Sequence, residues 1–409
     1  MEPTTTAPGG TDTAPSPAAA PRVRDLIDEL CGEIGPRASG SAAEAAAAER
    51  LRQRLERWGL PAAVERFRTT PFALQGLLAT MGGGYLLALG VYFACPLGAL
   101  LFLGLAIEVL LLHRSLDLDL PGMVLPGADS TNVHGTLPPT GERRRTVLFA
   151  GHHDSAFRMP LLARSSLFPW LSRGMVLFFC SYLTLLGLAI WRFAAAPGPA
   201  RGACERAALG LCGLGGVFAL IVLCGMIRRD PVPGANDNLS AVATAWETVR
   251  RLAAAPPRHV EVRVVSFGSE EPGLKGSRDF AIRHRDELRD AVLINLESLA
   301  QSGRLCVLTG EFLSGARHAP EAVRLVRDAA QDAAIPLDAR PLYHGLTDAS
   351  SFSTRGLPAT AVIRLNEHGF LDHYHSPGDS TEHLSEEHLE EAVRLCLAVV
   401  ARLDREVPD

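Results

Sequence analysis

Lysine is almost missing: Lys275 is the single one among 40 basic residues, and all the others are arginine. The eight cysteines include no CxxC pair and follow no regular spacing. Their scatter excludes a disulfide framework or a thiolate zinc site, and makes a reducing compartment the simplest expectation. Aromatic residues are only 6 % and charged residues only 21 % of the 409-residue chain. A net charge of −5 leaves no basic footprint, which argues against a nucleic-acid partner. What is present instead is aliphatic: hydrophobic residues make up 47 % of the chain. That content excludes a mostly disordered protein and implies apolar residues concentrated somewhere.

Residues 1–21 form a Pro/Ala/Thr-rich stretch without the basic start and apolar core of a secretory signal peptide; disorder is expected there. Val23, Leu26, Ile27 and Leu30 then recur at helical spacing, and Ser41 can cap an alanine-rich helix carrying Leu51 and Leu55. Ala62 to Phe67 reads as an extended stretch. Between Arg68 and Glu108 no side chain is charged. A helix needs about 20 apolar residues to cross the hydrocarbon core, so this run allows two, reversing near Cys95-Pro96. A second pair follows, Gly174 to Trp191 between Arg173 and Arg192, and Ala207 to Ile227 between Arg206 and Arg228-Arg229. Four crossings are expected, as two membrane hairpins spanning residues 72–125 (with a connector) and 159–230. Each hairpin leaves and returns on one side of a lipid bilayer. That side holds Arg66, Arg68, Arg114, Arg164, Arg173, Arg228 and Arg229, against Arg192, Arg201 and Arg206 on the other. The positive-inside rule then places the bulk of the protein on the cytoplasmic face.

Residues 22–71, 126–158 and 231–409 remain, roughly 260 in all, enough for one large α/β domain. Buried strands are expected at Thr146–Ala150, Val260–Phe267, Ala291–Leu296 and Pro358–Leu365, in a mixed, mostly parallel central sheet flanked by helices. Ligands bind such sheets outside the carboxyl ends of the strands. The polar clusters at those ends hold His152, His153, Asp154, Asp237, Glu270, Glu271, Glu297, His373, His375 and Asp379. Two imidazoles plus several carboxylates suit zinc, and a second carboxylate set suits a pair of metals. Singly, each has an ordinary structural explanation: a lone HxD satisfied in the core, or a Glu-Glu at a helix N-terminus. The signal lies in their order.

Taken together, GHHDSA, PGANDNLSAVA, FGSEEPGLKGSRDF, NLES, TDASSF with GLPA, and YHSPGDSTEHL resemble the successive signatures of metallopeptidase family 28. That family includes bacterial leucyl-type aminopeptidases and glutamate carboxypeptidase. The upstream IGPRASGSAAEAAAAERLRQRLERWGL is similar to the start of many members, and both apolar insertions and the tail fall outside the resemblance. The resemblance implies a zinc exopeptidase-like fold and two zinc ions per chain sharing Asp237. His152 and Glu297 would hold one ion, and Glu271 and His375 the other. Glu270 would be the general base, Asp154 would orient His152, and Tyr374 matches a position that in some members donates to the oxyanion. Asp348 and Asp379 match family acids near the site, where helix capping is an equal explanation. This sequence has Glu297 where the family usually has Asp, Asn236 for a common Asp, and Ala241 for a Gly; His153 and His373 are spare imidazoles.

The chemistry stands beside the resemblance. A bridging carboxylate holds two metals about 3.5–4 Å apart, close enough to share one hydroxide. Glu270, next to Glu271, can take that water's proton and pass it to a leaving amine. The expected activity is hydrolysis of the N-terminal amide bond of peptides by a membrane-anchored dinuclear zinc aminopeptidase. The second insertion separates His152 from Asp237, so the site's rim should lie near the bilayer and favour membrane-proximal peptides. Two alternatives stay open: a carboxypeptidase or glutaminyl cyclase on the same fold, and a non-catalytic membrane receptor or scaffold with a peptidase fold.

Overall fold

The computed structural model describes residues 22–115, 124–194 and 199–406; the expected disordered tail, 1–21, lies outside them. Nine strands make one sheet: β1 (Ala62–Thr69), β2 (Ala128–Leu137), β3 (Arg145–His152), β4 (Val260–Phe267), β5 (Ala291–Glu297), β6 (Arg304–Glu311), β7 (Ala316–Arg317), β8 (Asp338–Leu342) and β9 (Ala359–Leu365). Their order is β1-β2-β4-β3-β5-β9-β6-β7, with β8 pairing β6. The four central strands, β4-β3-β5-β9, are parallel, and antiparallel strands extend the sheet on both sides. A parallel centre is covered on both faces, which is why β3 and β9 are near-continuous apolar runs rather than alternating ones.

One face packs on the helices Ala42–Arg57, Ser240–Ala254, Pro320–Asp332 and Glu386–Arg405 around the fully buried Trp246. The other carries Lys275–Arg283 and Ala349–Ser353 through Phe280 and Phe352. The expected cap forms: Ser41 Oγ accepts from Glu44 N at 3.1 Å, satisfying an otherwise orphan donor.

Among the described residues the two apolar insertions hold four long helices, Ala73–Val91, Pro96–Ser115, Phe168–Ala194 and Pro199–Met226, which pack on one another around Tyr85, Tyr92, Leu103, Tyr182 and Leu185. Three spans, Ala73–Val91, Ser165–Ala194 and Cys204–Met226, are long and apolar enough to cross a membrane. In the fourth helix the described apolar part is Pro96–Ile107. The outside of this bundle is apolar too: Phe93, Leu101, Val176, Phe179, Phe193 and Leu214 are all exposed. Exposed apolar side chains in that number are costly in water and suit an apolar surround.

The second insertion leaves and returns at one point. Phe157 bridges Pro231, Arg158 N donates to Asp230 O and Val232 N to Ala156 O, both at 2.9 Å. Arg37, fully buried, locks that junction. Its guanidinium donates to the carbonyls of Gly35 (2.7 Å), His153 (2.8 Å) and Gly234 (3.0 Å), and Ser155 Oγ accepts from its backbone N. It thereby ties the loop after β3 to the segment leading into Asp237. Arg37→Met keeps the bulk but leaves buried carbonyls without donors, at about 1–3 kcal/mol for each. Urea unfolding of the detergent-solubilised chain should show a loss of about 3 kcal/mol or more; an unchanged midpoint would contradict the locking role.

Candidate metal centre

Each predicted ligand except Asp237 stands at a strand end or in the loop that follows one. His152 is the last residue of β3 and Glu297 the last of β5. Glu270 and Glu271 lie in the turn after β4, Asp237 precedes the Ser240–Ala254 helix, and Tyr374 and His375 follow β9. These separate segments meet in one buried cluster. His152 Nε2 lies 3.3 Å from Asp237 Oδ1, 3.7 Å from Glu270 Oε2 and 3.8 Å from Glu297 Oε1. His375 Nε2 lies 3.3 Å from the other oxygen, Asp237 Oδ2, and 3.1 Å from Glu271 Oε2. Asp237 thus stands between two half-sites.

The donor set fits a divalent metal ion. Ligands bound at about 2.0–2.1 Å in a tetrahedral shell sit about 3.3–3.4 Å apart, which is the spacing of Asp237 from both imidazoles, with Glu271 slightly closer to His375 and Glu297 farther from His152. One ligand atom each from His152, Asp237 and Glu271 lie within 4.8 Å of one another. Among the described residues, Asp237 Oδ2, Glu271 Oε1 and His375 Nε2 are buried with no hydrogen bond of good geometry, although Oδ2 and Nε2 face each other at 3.3 Å, as atoms set around an ion would be. Charge points the same way. Burial alone would lower both imidazoles, but the carboxylates around them raise His152 well above its ordinary value and His375 to about 10. Burial pushes Glu270 well above the usual carboxylate range and Glu297 up to about 8. Four carboxylates against two imidazoles in one buried space call for a cation.

The supporting acids hold backbone. Asp154 faces His152 Nδ1 at 3.3 Å, and its two oxygens accept from Glu270 N (3.0 Å) and Glu271 N (3.2 Å). Asp379 accepts from Asn236 N (2.7 Å) and Asp237 N (3.1 Å), the first-turn N–H groups of the Ala235–Leu239 segment that carries Asp237. Asp348 is fully buried and makes no capping bond to its helix; burial raises its carboxyl to about 7. The spare imidazoles turn elsewhere, His153 to Ser266 Oγ at 2.8 Å and His373 onto the ring of His383. Asn236 uses its side chain to accept from Ala300 N. Ala241 sits where a Cβ on Gly151 would approach its own Cβ to 2.7 Å, so Gly151 in β3 meets the need for a small residue.

Sequence reasoning missed several supports. Ser39 Oγ donates to Asp154 Oδ2 at 2.6 Å, and Glu44 Oε1 accepts from Ser269 N at 2.9 Å. Met159 N donates to His375 O at 2.8 Å, tying the start of the second insertion to a ligand. The IGPRASGSAAE stretch, which holds Ser39 and Glu44, was the signal for the first two. Ser269, Ser298 and His375 adopt φ of 54°, 46° and 49°, left-handed values that cost about 1–3 kcal/mol each in non-glycine residues. Such strain collects where a backbone must aim a side chain.

A cavity opens over the cluster. His152, Asp237, Glu270 and Glu297 line its floor, and Leu342, Leu346, Ile363, Leu365 and Phe370 its wall, with Tyr374 between. Tyr374 stacks on His375 (centroids 3.8 Å apart) and meets the edge of Phe370. Phe370 in turn stacks on Phe168, the first residue of a long apolar helix, at 3.8 Å. Because Asp154 orients one imidazole and holds the Glu270-Glu271 turn, Asp154→Asn should weaken zinc affinity about 10–100-fold in a chelator competition. Unaltered affinity would exclude that role.

Residues 223–400 match the family described as peptidase family M28. The matched stretch includes Asp237, Glu270, Glu271, Glu297 and His375 and excludes His152. Aminopeptidase YwaD of Bacillus subtilis (strain 168) is 30 % identical over 178 residues, which are 41 % of this chain and 37 % of that protein's length. Among solved structures, BSAP, a zinc aminopeptidase from Bacillus subtilis, superposes with a TM-score of 0.57 at 17 % identity, covering 93 % of this chain and 94 % of that one. The glutaminyl cyclase of Fimbriiglobus ruber superposes with a TM-score of 0.54 at 16 % identity, covering 97 % and 99 %. At those identities the structures establish a shared fold. Residues 223–400 of this chain are thus similar to peptidase family M28, on a fold shared with zinc aminopeptidase and glutaminyl cyclase structures.

Proposed function

We propose that the protein is a membrane-anchored zinc exopeptidase that removes residues from the free N-terminus of peptides. The observation that carries this is Asp237 facing one imidazole with each oxygen, with a further carboxylate beside each imidazole. His152 and Glu297 would hold one zinc ion and Glu271 and His375 the second, with Asp237 shared. When bound, the ions would polarise the scissile carbonyl and lower the pKa of the attacking water.

The rest belongs to the chain's own groups. Glu270, on the cavity floor, accepts the proton of the attacking water and delivers it to the leaving amine. The Tyr374 hydroxyl, kept protonated because burial and the neighbouring carboxylates raise it well above its ordinary value, donates to the oxyanion that develops. Leu342, Ile363, Leu365 and Phe370 enclose an apolar terminal side chain and exclude water. The wall's stack onto Phe168, at the head of an apolar helix, supports peptides presented close to the bilayer.

Glu270→Gln should lower kcat about 10²–10⁴-fold while zinc content stays at two per chain. Activity that survives this change, or survives chelator, would sink the mechanism. On a peptide panel, free N-termini with leucine-like first residues should be cleaved and N-blocked ones spared. Preferential cleavage of N-blocked peptides would mean a carboxypeptidase, and ring closure of N-terminal glutamine without hydrolysis a cyclase.

We further propose four crossings, with the peptidase domain on the cytoplasmic face. The arginine distribution supports that side. Cys306 and Cys396 are buried and cannot report on sidedness by labelling. The chain should resist carbonate extraction from membranes, and a tag after Asp409 should be protected from protease added outside intact cells. Digestion of that tag would reverse the orientation.

A further inference from the structure

Away from the cluster described above, a second group of metal-competent side chains converges between the β1–β2 edge of the sheet and the end of the Lys275–Arg283 helix. Glu65 in β1 pairs across the ladder with Asn132, and Ala63 with His134, so Glu65 and His134 are diagonal neighbours on one face. His284, just past the helix, closes the third side. His284 Nε2 lies 2.8 Å and His134 Nε2 3.2 Å from the same oxygen, Glu65 Oε1. One ligand atom from each of the three residues lies within 4.8 Å of the others.

We propose that Glu65, His134 and His284 form a third, independent metal site that takes a divalent transition ion such as zinc. Two imidazoles and one carboxylate are the ligand types of an open zinc site, in which water completes the shell. The side chains are 19 %, 22 % and 19 % exposed in that order, enough for an ion and its water to reach them. In the ordinary alternative, Glu65 simply accepts two N–H bonds. That alternative leaves Glu65 Oε2 buried with no hydrogen-bond partner among the described residues, and an ion would use it. Both rings are held in place by one aromatic neighbour. Phe280 packs against His284 (centroids 4.3 Å apart) and against His134 (5.6 Å).

The position gives the ion a purpose. The Lys275–Arg283 helix begins four residues after Glu271, and its far end would be pinned to β1–β2. The ion would act as a staple that steadies the turn carrying Glu270 and Glu271.

The test uses the full chain in detergent, stripped of metal and titrated with Zn2+ alone. An Asp237→Asn parent, in which the central cluster is broken, should still bind one zinc tightly and gain thermal stability from it. Adding His284→Gln or Glu65→Gln to that parent should remove this equivalent and abolish the rise in Tm. Equal zinc content and equal Tm rise in parent and double variants would reduce the triad to a hydrogen-bond network. X-ray absorption of the zinc-loaded Asp237→Asn parent needs no change in the triad. Two imidazoles on one ion are expected, and a shell with one or none would overturn the site.

Discussion

Asp237 presents one carboxylate oxygen to His152 and the other to His375, at 3.3 Å each, and the rest of the centre is arranged to keep it so. Its backbone N–H is held by Asp379, its neighbour Asn238 donates to Leu296 O and accepts from Ser298 N, and Ser240 Oγ accepts from Leu299 N. These bonds lock the Asp237 segment against the end of β5, which carries Glu297. Asp154 does the same for the Glu270-Glu271 turn. A buried cluster of like charges is unstable unless its geometry is imposed from outside, and here the acids that face backbone N–H groups impose it.

The same constraint explains how a domain tolerates two long apolar insertions. The second one interrupts the chain between His152 and Asp237, the two residues that must be neighbours. Its ends are zipped together by the Phe157–Pro231 bridge and by the buried Arg37, so the interruption does not widen the site. The helices beyond the junction are then free to adopt a bundle of their own chemistry, apolar inside and out. Contact returns through Met159 and Phe168, which touch His375 and Phe370. The apolar helices are therefore part of the pocket's surroundings.

Much of this was legible along the chain. Strand β4 spans the predicted Val260–Phe267, and the other three buried strands differ from expectation by one or two residues at an end. The helical pairs, the reversal at Cys95-Pro96 and the Ser41 cap follow from charge-free runs and local capping, which are short-range. The ligand candidates were legible because strand ends are where such a fold places polar groups. Less legible were the supports: a buried arginine bonding three carbonyls, Ser39 on Asp154, Glu44 on Ser269. Nothing in a side chain's identity says which distant backbone it will meet. His153 and His373 were as plausible as ligands as their neighbours until their rings were seen to point at Ser266 and His383.

By itself the sequence determined the fold class, the positions of the apolar insertions and the residue types available for a metal, because periodicity, charge depletion and ligand chemistry are local properties. Only the tertiary structure decided which imidazole faces which carboxylate, that Asp379 meets the backbone N–H groups of Asn236 and Asp237, and that Glu65, His134 and His284 meet. Those outcomes depend on strand register and on loop backbones aimed by hydrogen bonds from residues tens to hundreds of positions away, and that information becomes physical only when the chain is folded.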